Sequence, residues 1–290
     1  MSQPAITVGS YNVLNPYHAV KWATEQGLTE DGKQRDPQFL RDLARGEDEE
    51  AWKLYSNWSE RKELLAENIY HAAIVCLQEV SEETIIDLQI AAPFYLVSKV
   101  GFHEASRRVE QFGNAIMYDH HKARLLNSFE IEHIVQGEKD AWSRNAVCAV
   151  FEVSGKVIKV ASVHLSGYNP TETELPKKQA SKEVGYKELQ AYVTEIEKDL
   201  DGIDGIVIAG DFNEDPSEAV REMYRPGYLE SQGYRNDGNL TVTEPSKGRK
   251  IDWVYYKDVR TKDAQLSSAE LEHRQRQVSD HLMTGTEIRW

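Results

Sequence analysis

The sequence lacks the features that mark membrane-bound, secreted and disulfide-stapled proteins. No apolar run approaches the ~20 residues that a helix needs to cross a bilayer. Residues 1–14 have neither a positively charged start nor a long apolar stretch, so we expect no signal peptide. The chain has only two cysteines, Cys76 and Cys148, and both lie in apolar runs where we expect small buried side chains. These absences favour a reducing, cytoplasmic setting.

Positive charge is scarce as well. The chain carries 34 lysines and arginines against 48 aspartates and glutamates, which gives a formal net charge of −14. A broad basic face of the kind that holds nucleic acid is therefore not expected. A nuclease is still compatible with this balance, because a bound metal can supply the local positive field that an active site requires.

Strand and helix patterns alternate along the whole chain. Hydrophobic spacing predicts helices over residues 59–73 and 187–200. Ser81, followed by two glutamates in the first turn, predicts a helix over residues 81–92. Apolar runs predict strands over residues 7–14, 74–80, 114–120, 145–153, 157–166, 205–213, 251–256 and 281–290.

Internal repeats, low-complexity tracts and linkers rich in proline, glycine and serine are absent from the sequence. Strands spread over the whole length, with helices between them, predict a single α/β domain over residues 1–290 with helices packed outside the sheets. Polar excursions over residues 23–58 and 168–185 each follow a predicted strand. Loops in such positions commonly contact substrate.

The stretch IVIAGDFNEDP, residues 206–216, joins a buried strand to a carboxylate and an amide two positions apart. In an extended segment Asp211 and Asn213 point to the same side, with Phe212 facing the core between them. Oxygen ligands placed in this way suit a hard cation such as Mg²⁺, or an oriented contact with phosphate. Aspartate and asparagine after glycine are also common in turns, so a turn is the alternative interpretation.

The same pattern recurs on other predicted strands. Glu79 ends the apolar run IVCLQEV, and burying a carboxylate there costs free energy unless it is paired or binds a cation. Further side chains of the metal-ligand or acid–base type lie in or beside predicted strands: Asn12, His164, Asp252, Asp280 and His281. Several such residues on different strands favour a composite active site.

Seven motifs occur in a fixed order along the chain: SYNVLN, NWSERK with LLAENI, CLQEV, SVHL, AGDFN, KIDWVYY and SDHL. In this order they resemble the endonuclease/exonuclease/phosphatase superfamily, which has the deoxyribonuclease-I-like fold. The resemblance extends from Thr7 to the C-terminus and is nearest to the branch of carbon catabolite repressor-type deadenylases, nocturnin and angel proteins. It implies a two-sheet α/β sandwich with helices on the outer faces. It also implies phosphoester hydrolysis with one or two Mg²⁺ ions, for which Mn²⁺ can substitute.

The resemblance further implies roles for individual residues. The residues matched to metal binding are Glu79, Asn12 and Asp280, and those matched to catalysis are Asp211, Asn213, His164, His281 and Asp252. Asp211 and Asn213 match the pair that orients the attacking water and contacts phosphate or metal. His164 matches a histidine that holds the scissile phosphate. His281 matches an acid–base or phosphate-binding histidine, which Asp252 orients.

Three further residues are weaker candidates for binding substrate. Arg61 lies near a predicted helix start, where a surface charge is the alternative. Asn114 precedes a strand on a predicted loop, where a role in a turn fits equally well. Arg144 precedes an apolar strand and is a candidate cation on the substrate side.

Other residues could contact the bases and backbone of a nucleic acid. The aromatic candidates are Tyr17, Trp22, Trp142 and Tyr168, and the basic candidates are residues 107–108, 177–178 and 247–250. Ordinary packing is the alternative for the aromatic residues, and solvated surface is the alternative for the basic ones.

Three functions compete. The first is a divalent-metal phosphodiesterase that acts on RNA or another nucleotide chain. The second is a phosphoesterase for a small or lipid-linked substrate, such as a nucleotide cofactor, an inositol phosphate or a sphingolipid. The third is a non-catalytic scaffold with the same fold, which predicts loss of site residues, whereas the matched residues are all present. The sequence indicates no obligate protein partner.

Overall fold

The computed structural model describes residues 4–14, 58–102, 112–136, 141–167, 175–216, 223–245, 247–260, 264–269 and 279–290. Within these ranges it describes only the backbone of residues 134–136, 141–143, 175–179 and 181. The excursion expected over residues 23–58 lies outside the described residues apart from Trp58. Among the described helices, none combines the length and apolar character that a membrane span requires.

Eleven strands and four helices lie in the described residues. The strands are β1 (Ala5–Asn12), β2 (Ile74–Val80), β3 (Tyr95–Phe102), β4 (Gly113–Asp119), β5 (Arg124–Gln136), β6 (Ala141–Val153), β7 (Lys156–His164), β8 (Gly205–Asp211), β9 (Asp252–Asp258), β10 (Gln265–Ser268) and β11 (Thr284–Arg289). The helices are α1 (Trp58–Ile69), α2 (Glu82–Ala91), α3 (Leu175–Ile196) and α4 (Arg225–Ser231).

The strands form two mixed sheets. One has the strand order β10-β11-β1-β2-β4-β3, and the other has the order β5-β6-β7-β8-β9. Each sheet contains one parallel pair, β1 with β2 in the first and β7 with β8 in the second. The strands of a parallel pair end at the same edge of their sheet. Each sheet therefore brings two strand ends together.

Three hydrophobic cores separate the layers. On β2, Ile74 and Cys76 pack into the core between the two sheets, whereas Val75 and Leu77 pack into the core that contains residues of α1 and α2. Strand β8 shows the same alternation. Val207 and Ala209 pack into the core between the sheets, and Ile206 and Ile208 pack into the core that contains residues of α3 and α4. Strands buried on both faces read as uninterrupted apolar runs. The prediction of a two-sheet α/β sandwich with outer helices is confirmed.

The sequence does not predict helix α4, and the strands that it does not predict lie at the edges of the sheets. Strands β3, β5 and β10 are all edge strands, and edge strands carry exposed polar residues in place of an apolar run. The helix predicted from residue 59 ends at Ile69, before the expected end at residue 73. The helix predicted over residues 187–200 begins earlier and ends at Ile196. The predicted cap of α2 is confirmed, because Ser81 Oγ accepts from Thr84 N at 3.2 Å.

Gly210 permits the close approach of β7 and β8 at their ends. A Cβ atom at this position would lie 1.9 Å from the carbonyl oxygen of Val163. Because the obstacle is backbone, the two strands would have to separate, and we expect Gly210→Ala to lower the free energy of unfolding by about 3 kcal/mol. Chemical denaturation measures this loss.

The control for this prediction is Gly155→Ala. A Cβ atom at Gly155 would meet nothing within 4 Å, but the φ angle there is +80°. Left-handed strain alone should cost about 1 kcal/mol. Equal losses in the two variants would contradict the steric explanation for Gly210.

Candidate active site

Three of the predicted residues lie side by side at one end of the second sheet. His164 ends β7, Asp211 ends β8 and Asp252 begins β9. The strand register pairs His164 with Asp211, and Asp211 with Asp252. All three side chains are buried. The register of three neighbouring strands therefore places one histidine and two carboxylates at the same level.

The first sheet contributes Asn12 and Glu79. Asn12 ends β1 opposite Gln78 on β2, and the pairing of β2 with β4 shifts between Gln78 and Val80. Glu79 occupies this bulge with a φ angle of +59°, a left-handed conformation that is uncommon for a residue with a side chain. Bulges and strained residues of this kind are frequent at functional sites.

The Asn12 amide joins the two sheets. Its Nδ2 donates to Glu79 Oε1 and to Asp211 Oδ2, both at 3.2 Å. Its Oδ1 accepts from Leu14 N at 3.1 Å. Because only the amide nitrogen can donate, this orientation is the one that satisfies both carboxylates. Asn12 therefore holds carboxylates of two different sheets close together. Among the described residues its oxygen accepts one hydrogen bond, which leaves a lone pair for a cation.

His281 lies between three carboxylates. Its Nδ1 is 2.8 Å from Asp252 Oδ2, and its Nε2 is 3.6 Å from Asp280 Oδ1 and 3.9 Å from Asp211 Oδ2. Burial lowers the pKa of His281, but the negative charges of Asp252, Asp280 and Asp211 outweigh this effect. The pKa is therefore raised well above its usual value, which favours the charged imidazolium form of the ring.

His164 has the opposite protonation state. Its Nε2 lies 3.7 Å from Asp211 Oδ2. Burial and then the positive charge of Arg144 lower the pKa of His164 to about 3, so the ring is neutral. Arg144 Nη1 also donates to the His164 carbonyl at 3.3 Å. The same oxygen of Asp211 thus lies near one neutral and one charged histidine.

Asp211 lies at the centre of these contacts. Burial and then the charge of Asp252 raise its pKa to about 7, although His281 acts in the opposite direction. Asp211 Oδ1 accepts from Asn213 N at 2.7 Å. This bond forms a local turn, which was the alternative to a functional role for the two residues. Asn213 Nδ2 donates to the Leu165 carbonyl at 3.1 Å. The turn and the polar cluster are therefore parts of one arrangement.

Arg61 is buried beside the end of β1. It is 3 % exposed, so the alternative of a surface charge is wrong. Its guanidinium lies over the Trp58 ring, 5.5 Å from the centroid, and its Nη2 donates to the Val13 carbonyl at 3.1 Å. Burial lowers the pKa of Arg61 to about 10. These contacts support the chain segment that follows Asn12.

Asn114 lies within β4 rather than on a loop, so the predicted loop position is wrong. The strand begins at Gly113, one residue earlier than the apolar run indicates. The Asn114 side chain is fully buried, and its Nδ2 donates to the Asn145 carbonyl at 2.5 Å. Asn114 therefore links β4 of the first sheet to β6 of the second.

Sequence reasoning misses three residues that support the site. Thr243 Oγ1 accepts from Asp252 N at 3.1 Å. Ser279 Oγ donates to the Asn12 carbonyl at 2.8 Å. Glu244 places a carboxylate oxygen within 4.8 Å of ligand atoms of Asp280 and His281. Of the three, only Ser279 lies in a recognisable motif, SDHL. The other two are isolated polar residues, which no periodicity marks.

The expected nucleic-acid contacts are only partly described. Tyr17, Trp22, Tyr168 and residues 107–108 lie outside the described residues, as do the side chains of Trp142 and residues 177–178. Lys247 and Arg249 bind the Glu244 carboxylate at 2.5 Å each. Lys250 is buried and donates to Thr284 Oγ1 at 3.1 Å. Contact with a nucleic acid therefore stays a prediction.

The donor set fits a hard divalent cation. Carboxylate oxygens of Asp211 and Asp252 lie within 4.8 Å of each other and of a nitrogen of His281. The charged His281 ring has no lone pair for a metal, so the carboxylates are the donors. Asp252 Oδ1 is buried and has no hydrogen-bond partner among the described residues, although an unpaired carboxylate oxygen is costly to bury. Burial and then the negative charge of Asp252 raise the pKa of Asp211, so a cation at this place would relieve both effects. Carboxylate and amide oxygens are ligands that Mg²⁺ accepts.

The sequence matches the Endonuclease/Exonuclease/phosphatase family over residues 9–281. The chain therefore belongs to this family, as the motifs predict. Enzymes of the family hydrolyse phosphoester bonds with divalent metals. None of the curated proteins matches the chain.

Solved structures of low sequence identity share the fold. A mannosyl-6-phosphatase of Bacteroides thetaiotaomicron has a TM-score of 0.62 and 15 % identity, over 98 % of this chain and 100 % of that one. The human nocturnin catalytic domain with a bound sulfate anion has a TM-score of 0.59 and 19 % identity, over 98 % and 93 %. ANGEL2, a 2′,3′-cyclic phosphatase, has a TM-score of 0.58 and 17 % identity, over 99 % and 95 %. These TM-scores, over nearly the whole of each chain, establish the common fold.

Proposed function

We propose that this chain is a divalent-metal phosphodiesterase that hydrolyses RNA or another nucleotide chain. One observation carries the proposal: Asn12 bridges Glu79 and Asp211 at the point where the strand ends of both sheets meet. His281 and His164 lie within 4 Å of the same Asp211 oxygen. Membership of a phosphoesterase family makes this cluster the natural place for the reaction.

In this proposal Asp211 prepares the attacking water. A general base works best when its pKa is near the working pH, and burial and Asp252 raise the pKa of Asp211 to about 7. The Asp211 carboxylate takes a proton from water, while Asn12 holds Oδ2 and the backbone N–H of Asn213 holds Oδ1. These two hydrogen bonds fix the direction from which the water attacks.

The two histidines take different roles because their charges differ. His281 is an imidazolium and cannot accept a proton, so it stabilises the developing charge on phosphoryl oxygens or protonates the leaving oxygen. Asp252 fixes its orientation through the 2.8 Å contact with Nδ1. His164 is neutral, with a pKa lowered to about 3 by burial and Arg144, and it donates a hydrogen bond to the scissile phosphate from one ring nitrogen.

Glu79 and Asp280 would hold the cation together with Asn12. A Mg²⁺ ion bound there, or Mn²⁺ in its place, would neutralise the phosphoryl oxygens and the leaving oxygen. The strained backbone of Glu79 supports this role, because a φ angle of +59° is retained only where the surrounding structure enforces it. Arg61, Asn114 and Arg144 border the site in this proposal, and Arg144 is the one nearest to His164.

A small phosphoester is the second candidate substrate. A sugar phosphatase shares the fold over nearly all of both chains. The net charge of −14 also favours a substrate with few phosphates over a long polyanion. Both candidates use the same site residues and differ only in what the surrounding loops accept.

A substrate panel tests both candidates. We expect purified protein with Mg²⁺ or Mn²⁺ to shorten 5′-labelled poly(A) and mixed-sequence RNA, and EDTA to stop the reaction. Single- and double-stranded DNA, NADPH, an inositol phosphate, mannose 6-phosphate and sphingomyelin complete the panel. Cleavage of a small ester with inert RNA would move the substrate to the second candidate. Hydrolysis that survives EDTA would contradict the metal requirement.

A further inference from the structure

A group of buried charges lies behind the two loops that follow β7 and β8. Lys182, Glu188, Glu214 and Arg225 are each 2 % exposed or less. Burying four charged side chains is costly unless they are paired and hydrogen-bonded. Two of the residues are cationic and two are anionic, so the group is balanced in charge. Its contacts, rather than its net charge, indicate what it does.

Arg225 connects the two loops through their backbone carbonyls. Its Nη1 donates to the Phe212 carbonyl, and its Nη2 donates to the Ser166 carbonyl at 2.9 Å. The backbone N–H of Arg225 donates to Glu214 Oε2 at 2.9 Å, which ties the start of α4 to the loop after β8. The planar guanidinium suits this geometry, because it offers several donors in a fixed fork.

Glu188 on α3 also holds the loop after β7. Its Oε2 accepts from Ser166 N at 2.7 Å, and its Oε1 accepts from Ser166 Oγ at 2.6 Å. Ser166 therefore uses its N–H and O–H on Glu188 and its carbonyl on Arg225. The loop after β7 is held at a single residue by two buried charged side chains.

Asn213 lies between the two points that Arg225 holds. The Phe212 carbonyl belongs to the peptide bond that precedes Asn213, and Asn213 Nδ2 donates to the carbonyl of Leu165, next to Ser166. Asn213 also has a φ angle of +51°, a conformation that tertiary contacts must maintain. The guanidinium thus restrains the peptide bond before Asn213. It also restrains the segment that carries the Leu165 carbonyl, which accepts from the Asn213 side chain.

We propose that Arg225 is a positioning residue that acts on the reaction through Asn213. The proposal rests on the proposed function, in which Asn213 orients Asp211 and the attacking water. The hydrogen bonds described for the Arg225 guanidinium go to the carbonyls of Phe212, Ser166 and Lys182. It locks the loops after β7 and β8 relative to each other, so that the N–H of Asn213 meets Asp211 Oδ1.

Gly185 on α3 supplies an independent way to move the guanidinium. A Cβ atom at this position would lie 2.3 Å from Arg225 Nη2 and 2.6 Å from its Cζ. The same Cβ atom would lie 2.7 Å from the Ser166 carbonyl. Gly185→Ala therefore displaces the contact between Arg225 and the loop after β7, and it removes none of the buried charges. The variant therefore changes the position of the guanidinium while the net charge of the buried group stays the same.

A double-mutant cycle tests the proposal. We expect Arg225→Met and Asn213→Ala each to lower kcat by about 10- to 100-fold, because misplacing a reacting group by an ångström has effects of this size. Asn213→Ala keeps the backbone N–H but removes the side-chain bond to the Leu165 carbonyl that helps to place it. In this background Arg225→Met should therefore have much less than its full effect, since both changes misplace the same N–H. Losses that multiply, or a wild-type kcat in folded Arg225→Met, would overturn the proposal.

Two more variants cover the case in which Arg225→Met does not fold. Arg225→Lys keeps the charge, but a single ammonium does not reproduce the two-carbonyl fork, so it should restore thermal stability without restoring kcat. Gly185→Ala should also lower kcat. Arg235→Met is the matched control, because Arg235 binds Asp258 away from the site and should leave kcat unchanged. Full turnover in Arg225→Lys would overturn the proposal.

Hydrogen exchange gives a readout that needs no substrate. In Gly185→Ala or Arg225→Lys, exchange should rise in peptides covering residues 161–167 and 208–216, and it should stay unchanged in α1. Unchanged exchange in both peptides would overturn the role of Arg225 even if the protein were inactive on the panel. Inactive wild-type protein with raised exchange in the variants would instead refute the proposed function alone.

Discussion

Glu79→Gln is expected to lower the rate of metal-dependent hydrolysis by about 1,000-fold, the upper range for one electrostatic group in an active site. Glutamine keeps the shape of the side chain and an oxygen that accepts from Asn12 Nδ2. Only the negative charge is lost, and with it the main anionic ligand of the cation. The measurement is kcat/KM against Mg²⁺ concentration. Activity near the wild-type rate would show that the metal is held elsewhere.

The matched control for Glu79 is Glu132→Gln. Glu132 lies on the exposed edge strand β5, and its side chain is exposed to solvent. This variant should keep full activity. Thermal unfolding provides a second readout, because an ion that binds only the folded state raises the midpoint of unfolding. We expect Mg²⁺ to stabilise the wild type and Glu132→Gln, and to stabilise Glu79→Gln much less.

His281→Ala is expected to lower kcat by at least about 100-fold, the scale typical of acid–base and electrostatic groups. The variant removes the imidazolium whose Nε2 lies 3.9 Å from Asp211 Oδ2. It also removes the charge that opposes the raised pKa of Asp211. Steady-state kinetics on the best substrate of the panel checks this. A loss below tenfold would leave His281 with a structural role only.

Asp252→Asn tests the charge of His281 without removing its ring. Asp252 raises the pKa of His281 in the wild type, against the lowering effect of burial. Asparagine removes that negative charge, so the pKa of His281 falls and its proton is lost at a lower pH. If the imidazolium is the active form, the alkaline limb of the pH–rate profile moves to lower pH. An alkaline limb at the wild-type pH in Asp252→Asn would contradict this role.

The sequence by itself determined the layers, and it predicted which residues belong to the candidate site. Residues on β2 and β8 alternate between two cores, and a strand buried on both faces is a continuous apolar run that can be recognised without a structure. Polar residues that end such runs are anomalous because their burial is costly. Asn12, Glu79, His164 and Asp211 were recognisable for that reason.

The tertiary structure alone decided how these residues meet. The hydrogen bond between Asn12 and Asp211 joins residues 199 positions apart, and no local pattern encodes the packing of one sheet on the other. The left-handed conformation of Glu79 depends on the bulge opposite β4. The pKa of His164 is lowered and the pKa of His281 is raised because both are buried but have different charged neighbours. Sequence reasoning does not single out Arg225, and only the folded chain buries it against the carbonyls of two loops.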